Sequence, residues 1–208
     1  MDIFIKNFIL ALVAIDPITL IPIFAALTAG YKTADVKKIA FIATITSASV
    51  LLVFYIIGNQ ILINLNIDLS SFRIIGGIFL MVVAFEMVFE KRTGRRGNNA
   101  NQAIEEKQLS SIAVFPMAIP MIAGPAAITL VLVKSSELNG TFISALLDFL
   151  PIFCVIIIAG ISMLMSGIMS KFISLTVSLV LQRVFGLLLG ALAIQFVIDG
   201  IKLTFNLV

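Results

Sequence analysis

Apolar runs of about twenty residues recur six times along this chain, and a run of that length is what an α-helix needs to cross the hydrocarbon of a bilayer. The runs cover about 7–29, 39–58, 73–89, 111–133, 148–169 and 183–203. Composition leaves no other solvent. Of the 208 residues, 61% are hydrophobic and 12% charged, where a soluble domain carries roughly 25% charged residues. A chain this short cannot hide that much apolar surface inside a water-facing globule. The expected fold class is therefore an all-α membrane protein of six transmembrane helices. The start, Met1 to Lys6, lacks a signal peptide's basic region, so the first run reads as a retained helix.

Two connectors are less regular. Residues 59–72 alternate Ile61, Ile63, Leu65, Ile67 and Leu69 with Asn64, Asn66 and Asp68, and residues 170–182 alternate Ile173, Leu175, Val177 and Leu179 with Ser174, Thr176 and Ser178. Alternation suggests a strand in water, but an open strand beside lipid leaves its backbone unpaired. Both read as interfacial turns or helix starts. The one hydrophilic loop, about 90–110, holds Lys91, Arg92, Arg95, Arg96 and Lys107. It divides the chain into a first three-helix unit at 1–90, the basic loop at 91–110 and a second three-helix unit at 111–208.

Lysine and arginine in short loops orient such a chain. With the N-terminus outside, ten basic residues fall on the inner side and four, Lys6, Arg73, Lys134 and Lys202, on the outer side. Both termini are thus expected outside and the basic loop in the cytoplasm. There Lys91, Arg92, Arg95 and Arg96 would meet anionic headgroups.

The halves can be superposed in sequence. Pro17 matches Pro125 at an offset of 108, Gly58 matches Gly167 at 109, and Arg73 and Gly76 match Arg183 and Gly186 at 110. An odd number of helices per half inverts the second half, giving two inverted three-helix repeats. In transporters of that architecture the solute site lies at the repeat interface near the midplane.

Five of the six prolines lie in the first and fourth runs. A proline within a helix removes a hydrogen bond and clashes with the preceding turn, and broken helices at matching places in two halves point to a solute site. The first break reads as Asp16 to Pro22 and the second as Pro120 to Thr129. Candidate solute-binding residues are Asp16, Pro17, Thr19, Pro22, Pro120, Gly124, Pro125 and Thr129. A half-helix N-terminus at either break suits a carboxylate. Asp16 is the sharpest position, since a carboxylate inside a span costs about 2.5–3.5 kcal/mol on insertion scales. Two roles stay open for it: a proton, cation or solute-amine site, or an N-cap for the helix beginning at Pro17. Glu86 is a second candidate for ion coupling, and Gln195 for a polar path near Asp199. Arg73, Gly76, Arg183 and Gly186 are candidates for structure or gating, the arginines as headgroup anchors and the glycines, with Gly77 and Gly190, as close-packing points.

The chain has no histidine and a single cysteine, Cys154. Histidine-based catalysis, histidine metal ligands and an internal disulfide are excluded, and no metal or cofactor is expected.

These residues resemble the MarC family of bacterial and archaeal inner-membrane proteins, which implies the cytoplasmic (inner) membrane of a prokaryote as the location. The likeness is carried by Asp16-Pro17 with Pro22-Ile23-Phe24, by Phe72-Arg73-Ile74-Ile75-Gly76-Gly77, by Pro116 and Pro120 with Ala123-Gly124-Pro125-Ala126-Ala127-Ile128, and by Arg183-Val184-Phe185-Gly186-Leu187. It runs along essentially the whole chain. Ala126 stands where family members often carry glycine. The resemblance implies six transmembrane helices, a place in the wider LysE-like group of small-solute transporters and exporters, and in some members transport of neutral amino acids such as alanine and glycine.

The expected function is secondary transport of a small polar solute, a neutral amino acid being the candidate, by alternating access, with direction and oligomeric state left open. The expected partners are that solute and membrane lipid, not nucleic acid. The competing readings are an intramembrane enzyme, which lacks a recognisable catalytic constellation here, and a channel or non-transporting membrane protein.

Overall fold

A computed structural model describes residues 2–89, 112–136, 142–169 and 175–205. With no water to pair the backbone inside hydrocarbon, a spanning segment must bond to itself, and the described residues form helices and no strand. They are α1 (Asp2–Ile15), α2 (Pro17–Leu27), α3 (Thr33–Asn64), α4 (Leu69–Val88), a wide irregular coil over Ala113–Ile122, α5 (Pro125–Ser136), α6 (Phe142–Leu164), the short α7 (Ser166–Met169) and α8 (Leu175–Phe205). Among the described residues five stretches are long and apolar enough to cross a membrane: Phe4–Leu27, Thr33–Asn64, Leu69–Val88, Ser144–Leu164 and Leu179–Phe205. The coil Ala113–Ile122 and α5, bent by 61° at their junction, make a sixth if they count as one span.

The first alternating connector resolves as the end of one helix, a turn over 65–68 and the start of the next. α3 runs through Ile61 and Ile63 to Asn64. Its end explains the misleading pattern: Asn66 takes a left-handed conformation at φ 52, its N–H donates to the Ile63 carbonyl, and the Ile67 N–H donates to the Leu62 carbonyl. That paired arrangement satisfies the last carbonyls of a helix, and asparagine is one of the few residues that tolerates the left-handed position. The second connector is helical from Leu175, within α8, and residues 170–174 lie outside the described region. The basic loop also lies outside it, with Lys91, Arg92, Arg95 and Arg96.

The fourth span differs from expectation. Its first half is not a regular α-helix. Phe115 and Ile119 are extended, at φ −126 with ψ 123 and 122. Each precedes a proline, whose ring crowds the preceding residue out of the helical region. The peptide bonds to Pro116 and Pro120 are cis.

The helices pack as an interleaved set. α3 lies against α5, α6 and the 113–122 coil, α6 lies against α1, α2 and α3, and α4 forms its most extensive interface with α8. One buried cluster joins α1, α2, α3, the coil, α5 and α6. A second joins Val13 and Ala14 to Leu80, Val83, Ala84, Met87, Ala126, Leu189 and Ala193. Large apolar side chains such as Phe41, Ile56, Phe79, Leu187 and Phe205 point outward, as a lipid solvent requires.

Without a hydrophobic drive between helices in lipid, close backbone approach does the work, and glycines supply it. A Cβ on Gly77 would stand 2.7 Å from the Ala193 carbonyl oxygen and 3.0 Å from the Val197 nitrogen. On Gly200 it would meet the Ser70 carbonyl at 2.8 Å, and on Gly186 the Ala84 carbonyl at 3.1 Å. These contacts fix α4 antiparallel to α8, with residues 70–74 beside 200 and 84–88 beside 186. By contrast a Cβ on Gly190 would make an ordinary 3.6 Å contact with Ala84. Gly77→Ala is expected to destabilise the detergent-solubilised protein by about 1–3 kcal/mol through overpacking. Gly190→Ala should leave its thermal midpoint unchanged or slightly raised; equal midpoints for the two variants would contradict this interface.

Candidate functional site

The first break falls between α1 and α2, at one residue. The Asp16 N–H still donates to the Leu12 carbonyl at 2.9 Å, as the last bond of α1. Its backbone then turns left-handed, at φ 56 and ψ 66, a conformation that aspartate tolerates better than most side chains. Pro17 follows as the first residue of α2, where its missing N–H costs nothing. The carboxylate folds over the new helix start. Its Oδ1 accepts from the Thr19 N–H at 3.4 Å, and its Oδ2 accepts from the Thr19 hydroxyl. Asp16 therefore caps α2, one of the two roles its position allowed. Asp16 is 1% exposed and Thr19 2%. Pro22 does not extend the break: it sits inside α2, which continues to Leu27.

The second break has the same plan with a different cap. The coil ends at Ile122, Ala123 and Gly124 turn the chain, and Pro125 opens α5. The Gly124 carbonyl accepts the first bond of α5, from the Ile128 N–H at 2.9 Å. A Cβ at Gly124 would lie 2.5 Å from the Pro120 carbonyl oxygen, so only glycine lets the chain fold back this tightly. Glycine also brings no side-chain acceptor, so the start of α5 has no counterpart of the Asp16 carboxylate at that position. Thr129 lies one turn inside α5 and is 5% exposed.

The two breaks share one interior. Ile15 and Leu20 flank the first, Ile122, Ala123 and Ala127 flank the second, and all five belong to a single buried cluster. α1 also touches α5 directly, and α2 touches the coil. Gly76 of α4 abuts the second half-helix, its Cβ position 2.8 Å from Thr129 Cγ2. Asp16, Pro17 and Thr19 thus come together at one break and Gly124 and Pro125 at the other, with Pro120, Thr129 and Gly76 around the second.

The remaining candidates stand apart. Glu86 is half-buried, in a groove it shares with the exposed side chains Val82, Phe85 and Phe89. Arg73 is half-buried in the second turn of α4 and Arg183 is exposed on α8. Gln195 donates to Asp199 at 2.8 Å, an exposed pair one turn apart. Gly76 and Gly186, matched by offset, meet different partners: α5 in one case, α4 in the other.

Two buried amide side chains were not singled out by the sequence. Asn7 on α1 and Gln182 on α8 are each 1% exposed. Asn7 stands at the edge of an apolar run and so looked like a boundary. Asn7 Oδ1 accepts no hydrogen bond among the described residues. Among those residues no three carboxylates or thiols gather into a metal-binding group.

A profile described as "MarC family integral membrane protein" matches residues 1–205. The chain is 33% identical over 209 residues to a UPF0056 membrane protein of Buchnera aphidicola subsp. Schizaphis graminum, covering 99% of this chain and 94% of that one. It is 31% identical over 200 residues to the UPF0056 membrane protein YvbG of Bacillus subtilis, covering 96% and 94%. It is 29% identical over 206 residues to the UPF0056 membrane protein MJ0972 of Methanocaldococcus jannaschii, covering 99% and 90%. No solved structure matches.

The capping geometry separates two substitutions. Asp16→Asn keeps an acceptor for Thr19 and tolerates the left-handed backbone. Asp16→Ala loses both and is expected to cost about 0.5–2 kcal/mol. Thermal unfolding in detergent checks this: an alanine variant as stable as the asparagine variant would mean that the cap contributes nothing.

Proposed function

The chain belongs to the MarC family, integral multi-pass membrane proteins of bacteria and archaea, and from the two breaks we propose that it is a secondary transporter of a small zwitterionic solute, a neutral amino acid. The observation that carries this reading is the meeting of two proline-opened half-helices in one buried interior, with a single carboxylate, Asp16, at one of them.

The chemistry of the breaks is complementary to a zwitterion. A helix start presents unpaired N–H groups and the positive end of the backbone dipole. At α2 Asp16 already answers these groups. At α5 Gly124 does not, so a solute carboxylate would bind there, against the amides that follow Pro125. The solute ammonium would then lie toward Asp16, which also offers a place for a coupling proton. Thr19 and Thr129 would set the width of the site.

The packing supports two inverted halves. α1 and α2 lie on α6 as the coil and α5 lie on α3, while α4 pairs with α8. Exchanging the halves maps each of these relations onto another. In this arrangement Asp16 and Gly124 are buried, while Pro125 at the second break is exposed. Opening α1–α2 from α6, or the fourth span from α3, would expose the breaks to one side or the other. That is alternating access by rocking of repeats.

Proteoliposomes carrying the purified protein, loaded and unloaded with radiolabelled alanine under an imposed pH gradient, test the proposal. The wild type is expected to show saturable flux. Asp16→Asn, which preserves the cap, should lower uptake about tenfold or more, the loss expected when a hydrogen bond to a charged group is removed. Normal transport by that variant at every pH would remove Asp16 from coupling and from ammonium binding. A folded wild type that moves no neutral amino acid would overturn the assignment.

A further inference from the structure

We infer that the groove between α3 and α6 is a binding site for one anionic phospholipid, with its acyl chain along the helices and its headgroup phosphate at Lys37. The groove has a volume of about 270 Å³ and is lined on α3 by Ala40, Phe41, Thr44, Ile45 and Ala48. Its opposite wall is Phe153, Ile157, Gly160, Ile161 and Leu164 of α6.

Three observations point to this occupant. The first is register. Counted from Lys37, the five α3 residues stand at +3, +4, +7, +8 and +11, the positions that share one helix face. The exposed Lys37 therefore heads the line of the groove. Its neighbour Lys38 aligns with only Phe41 and Ile45. The second is polarity. The one hydroxyl in the wall, on Thr44, donates to the Ala40 carbonyl at 2.7 Å, so the floor offers a ligand hydrocarbon contacts alone. Gly160 lets that floor close: a Cβ there would stand 2.6 Å from Thr44 Oγ1. The third is depth. Lys37 lies in the first turns of α3, before the uncharged stretch 39–58, where a membrane surface would cross the helix. An apolar trough that starts at a membrane-surface cation fits a molecule with an anionic head and an apolar tail. The site is independent of the transport reading, since none of these residues belongs to the breaks.

The chain contains no tryptophan, so one introduced indole reports on one place. Phe41→Trp puts it in the groove, and Phe79→Trp puts it on the exposed side of α4. Each single-tryptophan protein is reconstituted in phosphatidylcholine with rising fractions of brominated phosphatidylglycerol or brominated phosphatidylcholine, which quench fluorescence on contact. In the Phe41→Trp protein the anionic lipid is expected to bind about fivefold more tightly, the preference one lysine near a charged surface supplies. The Phe79→Trp protein should show no preference. Adding Lys37→Gln to Phe41→Trp should abolish the preference, and adding Lys38→Gln should retain most of it. Phe153→Trp, on the facing wall, replaces Phe41→Trp if that variant does not fold. Equal quenching of the groove indole by both lipids overturns the site, and so does a preference shared by the indole on α4. Shielding of the groove indole from both lipids, with a dimer seen by light scattering, would assign the groove to a second copy of the chain and also overturn it.

Discussion

Every feature of this fold depends on the cost of an unpaired backbone group in hydrocarbon. A chain in lipid cannot leave a helix without finding new partners for the amides and carbonyls it frees. Here it leaves one twice within spans, and each time the exit is built from the same parts. A turn residue accepts the new helix, a proline supplies a first position that needs no N–H, and the turn residue itself is buried. At Asp16 the turn residue adds a carboxylate. At Gly124 it adds nothing, because the Pro120 carbonyl occupies the space where a side chain would begin. The difference between a turn residue with a carboxylate and one with no side chain gives the two breaks different chemistries on a shared plan.

Much of this was legible in the sequence because lipid simplifies the code. The long apolar runs map onto the five long apolar helices and the bent pair, and Pro17 and Pro125 each open a half-helix. The alternation from Ile61 to Leu69, read as a turn or helix start, resolves as the end of α3, a turn marked by the left-handed Asn66, and the start of α4. Pro22 looked like part of a break but lies within α2. Proline spacing alone does not tell a proline inside a continuous helix from one at a break. The irregular first half of the fourth span follows from two prolines four residues apart, Pro116 and Pro120, each forcing its predecessor extended.

The glycine matches divide in the same way. Gly76 and Gly186 correspond by offset but serve different interfaces, and Gly58 packs on Leu132 and Ser135 where Gly167 meets nothing among the described residues. Glycine pairing in sequence is a weak sign of equivalence, because several neighbours can use the same missing side chain. The burial of Asp16 was readable from its place inside a span. Its partner Thr19 was readable as a nearby residue, but the bond between them depends on the left-handed turn that only the backbone shows. The burial of Asn7 and Gln182 was not readable, since each stands where an apolar run gives way to polar neighbours.

The length of α3 has a consequence of its own. Its 32 residues extend about 48 Å at 1.5 Å per residue, while its uncharged centre, 39–58, measures about 30 Å, the thickness of a typical hydrocarbon core. Lys37 and Lys38 collar that centre at one end, and Asn59 and Gln60 at the other. The helix therefore works as a depth gauge. It ties the vertical position of everything packed on it, α5 and α6 included, to the two surfaces of the bilayer. A thinner membrane would have to deform or tilt α3, and a tilt of α3 is a movement of the wall on which the second break rests.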